Sequence, residues 1–114
     1  MEIISINLSQ FVLPGSTVLY GRLTGEHART ILHLDEVDLM LKKNSRVEVE
    51  FHFPEGLTSV NDSFMSGLLS KTFKAVGSDT FVARVKFVSR DEHVLESLRG
   101  LTHLLRNINS AWKI

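Results

Sequence analysis

The clearest pattern in the chain is a strict alternation of apolar and polar residues over positions 46–53. Val47, Val49, Phe51 and Phe53 alternate there with charged or imidazole side chains. Alternation at a period of two residues predicts a β-strand with one buried face and one polar face. Less regular apolar stretches predict further β-structure over residues 2–7, 11–13 with 16–20, and 80–88.

Three other stretches carry the three- and four-residue apolar spacing that is typical of helices. Residues 62–76 are the most regular of them. In residues 25–43 the apolar face shifts midway, which favours a break near Asp35, with Asp35 as a cap, over a single long helix covered on two sides. The third helix should begin after Ser89, because Ser89 and Glu92 have the spacing of a capping box.

This order of elements predicts an α/β fold in one domain, residues 1–114, since a compact domain typically takes about 100 to 150 residues. We expect two layers: a mixed sheet of about four strands, with helices mainly on one face. The strands that contain Val49 and Val85 are joined through a helix, so they should be parallel neighbours with a right-handed crossover. On their outward faces, acidic side chains of one strand would then lie beside basic ones of the other. These are Glu48 and Glu50 on the first strand and Arg84 and Lys86 on the second.

Composition narrows the function without naming it. Hydrophobic residues make up 43% and charged residues 23% of the chain, which are ordinary values for a globular domain. The absence of cysteine excludes disulfides, thiolate metal sites and a cysteine nucleophile. No apolar run approaches the roughly 20 residues that span a bilayer, so we expect a cytoplasmic protein without membrane association.

Sequence signatures of catalysis and of cofactor binding are missing as well. None of the five histidines falls in an HExxH spacing, and no phosphate-binding glycine loop or GxSxG element occurs. We therefore expect no enzyme, no cofactor and no metal site. Arg99, Arg106 and Lys113 lie near Trp112 and would suit a nucleic-acid contact. Thirteen acidic residues balance the thirteen basic ones, however, so placement of these cations by the helix dipole is the simpler interpretation.

The segment between the alternating strand and the 62–76 helix is the strongest candidate for function. It carries hydroxyl groups around a predicted helix N-terminus, and it follows the carboxyl end of a strand, where open α/β sheets usually bind their ligands. The positive end of the helix dipole would stabilise a phosphate group on Ser63. The alternative is that Ser59, Asn61 or Asp62 caps the helix and this segment has no further role. The candidate site residues of the segment are Thr58, Ser59, Asp62, Ser63 and Ser66.

Three parts of the chain together resemble one family. Residues 24–29, with the sequence Thr-Gly-Glu-His-Ala-Arg, precede the alternating strand 47–53, and Ser63-Phe64 opens the following helix. In this order the chain resembles the STAS-like domains of uncharacterised function, over roughly residues 22–106. It is similar, more remotely, to the STAS domains of anti-sigma-factor antagonists. Those domains carry a phosphorylatable serine at the start of a helix after a central strand, and Ser63 has the matching position.

The resemblance implies a binding module without catalysis, regulated through contacts with a protein partner such as a kinase or ATPase-type regulator. We therefore expect a regulatory protein-interaction domain whose partner contacts the segment near Ser63. A small-ligand sensor is the alternative, with a pocket between the strand ends and the helix that starts near Asp62. A nucleic-acid-binding module that uses the C-terminal basic residues is less favoured.

Overall fold

The computed structural model describes residues 2–111, and for residues 108–111 it describes the backbone alone. The strands are β1 (Glu2–Asn7), β2 (Val18–Leu19), β3 (Val47–His52), β4 (Ser59–Val60) and β5 (Val85–Val88). The helices are α1 (Arg22–Ile31), α2 (Leu34–Lys43), α3 (Asp62–Val76), α4 (Ser78–Arg84), α5 (Glu92–Ser97) and α6 (Leu101–Ala111), with a 3-10 turn at Ser9–Phe11. The predicted α/β class is confirmed.

The strands form two small sheets, whereas the sequence predicted one mixed sheet of about four strands. β1, β3 and β5 make a parallel sheet with β3 in the centre, and β2 pairs in parallel with β4 in a separate sheet. The difference arises before α1, because residues 11–13 form no strand and the two residues of β2 pair with β4 outside the three-stranded sheet. The Thr17 and Leu19 carbonyl oxygens accept the amides of Thr58 and Asn61, each at 2.8 Å.

β3 is the central strand, and its alternation is confirmed. Its apolar side chains are buried against the helices, while the polar ones between them are half-buried on the opposite face. In the parallel register with β5, Val49 lies beside Val85 and Phe51 beside Phe87. The rings of Phe51 and Phe87 stack with centroids 6.0 Å apart. The predicted parallel pairing of these strands is therefore confirmed.

The charged residues beside this pairing have other partners than the lateral ion pairs that the sequence predicted. Arg84 ends α4, and its guanidinium donates to two backbone carbonyl oxygens near the C-terminal end of α2. Glu50 lies beside Lys86 in the register, but its carboxylate contacts the imidazole of His52 at 3.2 Å. Arg84 lies in α4 and not in the strand, because Phe81, three residues earlier, packs on Phe73 as part of the helix.

The strand predicted over residues 80–88 is wrong in its first half, which belongs to α4. Gly77 has φ +85, a conformation that glycine adopts without strain, and it lets the chain turn between α3 and α4. Phe81 is 2% exposed and meets Phe73 of α3 edge-on, with ring centroids 5.3 Å apart. One large apolar side chain packed on α3 thus holds a short helix where the sequence alternates like a strand.

The break predicted near Asp35 is confirmed and lies at Leu32 and His33. His33 has φ 54, in the left-handed region that few non-glycine residues adopt, and it redirects the chain from α1 into α2. Asp35 does not cap α2, because its carboxylate accepts a hydrogen bond from Arg29 instead. The shift of the apolar face in the sequence therefore marks a real change of helix axis.

The C-terminal helical region also differs in its cap. Asp91, not Ser89, is the N-cap of α5, and its carboxylate accepts the amides of His93 and Val94. The Ser89 hydroxyl oxygen accepts the Asp91 amide at 3.1 Å, one step earlier in the chain. α5 ends before Gly100, and α6 follows as a separate helix.

The backbones of α1 and α3 approach each other closely at two glycines, Gly25 and Gly67. A methyl group on Gly25 would lie 2.9 Å from the Leu68 amide nitrogen, and one on Gly67 would lie 3.0 Å from that of Glu26. Both glycines are buried, so each helix backbone rests directly on the other. The two helices run in the same direction, because Gly25 lies against Phe64 and Leu68, and Arg29, one turn farther along α1, bonds Thr72, one turn farther along α3.

The element order repeats along the chain although the sequence shows no repeat. A long strand, a short strand and two helices occur twice, over residues 2–43 and 47–84, before β5 begins a third, shorter unit. Equivalent elements contact each other: β1 pairs with β3, β2 pairs with β4, and α1 packs on α3. Over residues 2–111, no helix is long and apolar enough to cross a membrane.

Candidate functional site

Four of the five predicted site residues lie together where β4 runs into α3. Thr58, Ser59, Asp62 and Ser63 are all exposed at this point, which we call the β4–α3 junction. Ser66 lies apart from them, since it is 4% exposed and one turn farther along α3. Ser66 is therefore not part of the exposed surface that the sequence predicted.

Asn61 caps α3, which settles the question of which polar residue has that role. Its Oδ1 accepts the backbone amide of Ser63 at 2.7 Å and also the Ser63 hydroxyl. Thr58 instead bonds to the residue before β2, because its amide and hydroxyl donate to the Thr17 carbonyl oxygen at 2.8 and 3.3 Å. The helix end is thus capped through a backbone amide, without need of the Ser63 side chain.

Apolar side chains are exposed on the β2 side of the same edge. β2 lies beside β4, with Val18 opposite Ser59, so the chain enters α1 next to the point where it enters α3. Tyr20, in this second connection, is 56% exposed, and Leu23, in the first turn of α1, is 79% exposed. Sequence reasoning missed both residues, because their placement depends on pairing between segments about 40 residues apart.

A groove of about 460 Å³ lies between α1 and α3, beyond the glycine contact. It differs from the pocket expected near Asp62, because its α3 wall begins one turn later, at Ser66. The α1 wall and the start of α2 supply Arg22, Glu26, Arg29, Thr30 and Asp35, and the α3 wall supplies Ser66, Gly67, Ser70, Lys71 and Lys74.

Arg29 organises the inner side of this groove. Its guanidinium is buried and joins three helices: Nη1 donates to the Leu68 carbonyl oxygen at 3.1 Å and to the Thr72 hydroxyl at 2.8 Å. Nη2 donates to Asp35 at 2.8 Å and to the buried carboxylate of Asp38. The Thr72 hydroxyl in turn donates to Asp38. The buried charge of Arg29 is thus balanced by hydrogen-bonded carboxylates, as buried ions require.

The acidity of Asp35 is set mainly by its contact with Arg29. Its hydrogen bond from Arg29, and secondly the positive charge of Arg29, lower the pKa of Asp35 below its ordinary value; the charge of Lys71 acts in the same direction. Asp35 itself remains largely in solvent, with 82% of its side chain exposed. The carboxylate therefore stays ionised at the mouth of the groove.

The C-terminal basic residues are dispersed as far as the structure describes them. Arg106 donates to the Ser78 hydroxyl at 2.7 Å, and Arg99 is exposed in the connection between α5 and α6. Trp112 and Lys113 lie outside the described residues. Within residues 2–111, no group of three or more histidine, aspartate or glutamate side chains is arranged to hold a metal ion.

The Arg29 cluster and the groove were not recognised from the sequence as a site. The one available signal was Ala28-Arg29, which formed part of the motif that resembles STAS-like domains. The partners of Arg29 on α3 lie about 40 residues away in the chain, so no local pattern could reveal them. Comparison of the chain with protein-family models, with curated proteins and with solved structures finds no match, so its function must be argued from these two places in the fold.

Proposed function

We propose that the chain is a non-catalytic, STAS-like regulatory domain of the cytoplasm that binds a protein partner through the β4–α3 junction. The observation that carries the proposal is the placement of Ser63. Its side chain is exposed in the first turn of α3, while Asn61 caps the helix through the backbone amide. A change at Ser63 therefore alters the surface and leaves the fold intact.

The surroundings of Ser63 suit contact with a protein. Tyr20 and Leu23 are exposed at the neighbouring edge, and tyrosine in particular is enriched in protein interfaces. Asp62 and the hydroxyl groups of Thr58 and Ser59 offer polar partners around them. An apolar centre with a polar margin is the usual composition of an interface.

A phosphoryl group on Ser63 would act as a switch on this surface. It adds a charge of about −2 at the positive end of the α3 dipole, where that charge is stabilised. It also replaces the hydroxyl that now donates to Asn61 with oxygens that only accept. A kinase or ATPase-type regulator is the partner class we propose, in line with the resemblance to STAS-like domains.

The proposal is tested by capturing partners from a native lysate on the tagged chain, with and without ATP, and identifying them by mass spectrometry. Ser63→Asp should weaken binding of the specific partner by at least about tenfold, because it adds a charge within the interface, beside its apolar centre. Tyr20→Ala should weaken it similarly by removing an exposed aromatic contact. Ser63→Ala should bind as the native chain does.

Ser9→Asp serves as the matched control, because Ser9 is exposed outside the junction and takes the same charge. Thermal melting of each variant should show an unchanged midpoint, which separates lost binding from lost folding. A captured partner that Ser63→Asp and Tyr20→Ala retain at native affinity would overturn the proposal. Equal loss with Ser9→Asp would mean a general effect of charge, and would overturn it as well.

A further inference from the structure

Two buried polar groups in the α1–α3 groove lack a hydrogen-bond partner. Among the described residues these are the Ser70 hydroxyl and the Arg29 Nε–H, and the two residues are 8% and 6% exposed. Buried polar groups in folded proteins are almost always bonded, so one unbonded group on each wall of the same groove calls for a reason. Both groups can donate a hydrogen bond, and both residues line the same groove.

Positive charge surrounds these donors. Lys71 and Lys74 are exposed on α3 and line the groove on the same side as Ser70. Arg22 lies across from them on α1, where its Nε is 3.2 Å from the carboxylate of Glu26. The remaining donors of Arg29 are occupied by protein groups, which fixes the direction of its Nε. In this structure the groove wall covers both the Ser70 hydroxyl and the Arg29 Nε, so an anion is first held by the two lysines at the mouth and reaches the two donors once the wall opens around it.

The walls of the groove leave room for more than a bare ion. Ser66, Gly67 and Ser70 are small, and the volume of about 460 Å³ lies in the range of small-molecule sites. None of the described residues that line it carries an aromatic ring, so it offers no aromatic face for a nucleobase to stack on. Glu26, Thr30 and Asp35 instead supply oxygen atoms that accept hydrogen bonds from hydroxyl groups.

We propose that the α1–α3 groove binds a small phosphorylated polyhydroxy compound, of the class of the sugar phosphates. The phosphoryl group lies against Ser70, the Nε of Arg29 and the ammonium groups of Lys71 and Lys74. Its oxygens supply the acceptors that the Ser70 hydroxyl and the Arg29 Nε–H lack. The hydroxyl groups of the ligand donate to Glu26 and Asp35 on the opposite wall.

A phosphoryl group fits this set of donors better than a carboxylate does. It offers three terminal oxygens and up to two negative charges, to match two ammonium groups, a hydroxyl and a guanidinium N–H. A carboxylate has enough acceptor sites for both buried donors, but its single charge matches only one of the two ammonium groups. This binding site is separate from the β4–α3 junction, and it does not rest on the function proposed there.

The test is a titration of the native chain, followed by backbone amide chemical shifts, with four probes. These are ribose 5-phosphate, inorganic phosphate, adenosine 5′-monophosphate and unphosphorylated ribose. Ribose 5-phosphate should bind at submillimolar concentration and shift the amides of α1 and α3 that border the groove. Inorganic phosphate should bind at least about tenfold more weakly, and ribose should not bind below about 10 mM. The affinity should fall as salt is added.

Two variants locate the site. Lys71→Gln with Lys74→Gln should weaken binding of ribose 5-phosphate by at least about tenfold. The control pair Lys43→Gln with Lys86→Gln makes the same change of net charge away from the groove, and it should bind as the native chain does. Ser70→Ala should weaken binding several-fold without lowering the melting temperature, because it removes a buried hydroxyl that has no partner.

Absence of binding by ribose 5-phosphate up to about 10 mM would overturn the proposal. Equal weakening in the control pair would overturn it too, because it would indicate a general effect of charge. Tighter binding of adenosine 5′-monophosphate would refute the ligand class, since it would require a contact with the base.

Discussion

A methyl group added at Gly67 should separate α1 from α3 and destabilise the whole domain. In the native geometry, the new carbon of Gly67→Ala would lie 3.0 Å from the amide nitrogen of Glu26 and 3.1 Å from the carbonyl carbon of Arg22. The Arg22 carbonyl oxygen is nearer still. These are backbone atoms, so no side chain can turn away to make room.

The cost follows from the distance that the helices must move. Ordinary contacts between carbon atoms are about 3.5–4.0 Å long, so the two backbones must separate by roughly 1 Å. Overpacking of this kind costs about 1–3 kcal/mol, and a backbone obstacle places Gly67 at the upper end of that range. Alanine recovers about 1 kcal/mol through its higher helix propensity. The net loss of unfolding free energy should be about 2 kcal/mol.

Thermal and urea unfolding, followed by circular dichroism, measure this loss directly. For a domain of this size, 2 kcal/mol lowers the melting temperature by about 8 °C. Gly100→Ala is the control, because no atom lies within 4 Å of the position of its added methyl group and its φ is not positive. If Gly67→Ala melts at the temperature of Gly100→Ala, the close approach of α1 and α3 is refuted.

The buried cluster around Arg29 gives two further predictions. Arg29→Met should lower the free energy of unfolding in urea by about 3–5 kcal/mol, because Asp38 stays buried without its cation. Adding Asp38→Asn should recover part of this loss, and an unaltered urea midpoint for Arg29→Met would contradict the ion pair. Asp35→Asn should be slightly less stable than the native chain at neutral pH. The lowered pKa of Asp35 means that its ionised form stabilises the fold above the unfolded pKa of about 3.8, and that this stability is lost as the pH falls through the lower folded value. Urea midpoints from about pH 7 to pH 2 should therefore converge for Asp35→Asn and the native chain, and a gap that widens in acid would contradict the contact with Arg29.

The elements that the sequence predicted well are those with long, regular periods. β3 alternates over its whole length and α3 keeps its apolar spacing for 15 residues, so local pattern and tertiary burial agree. The strand predicted around Phe81 is wrong because the seven residues of α4 are too few to distinguish a helical from a strand period. The contact of Phe81 with Phe73 decides for the helix. Short apolar runs are ambiguous for this physical reason, and no local pattern resolves them.

The two candidate sites differ in the same way, because one follows from a local sequence pattern and the other does not. A helix N-terminus with a cap and an exposed serine is a local feature, so Ser63 could be placed at the start of α3 from the sequence. The groove is formed by residues of α1 and α3 that meet through Gly25 and Gly67, and its buried donors come from both helices. Contacts between residues about 40 positions apart leave no periodic pattern in the sequence, and a glycine within a helix otherwise predicts only a less stable helix. Arg29 therefore stood out in the sequence only as one position of a motif.

Both proposed sites lie on the same pair of helices, and the glycine contact explains how they are related. The β4–α3 junction occupies the N-terminal ends of the pair, and the groove opens one turn farther along, with Ser66 and Ser70 on its α3 wall. Because the backbones touch at Gly25 and Gly67, the helices have no free space in which to slide, and they present both surfaces in fixed geometry. The three-stranded sheet contributes to neither surface. Substitutions in the core of that sheet should therefore act on function through stability alone, whereas those along the outer faces of α1 and α3 should act on binding.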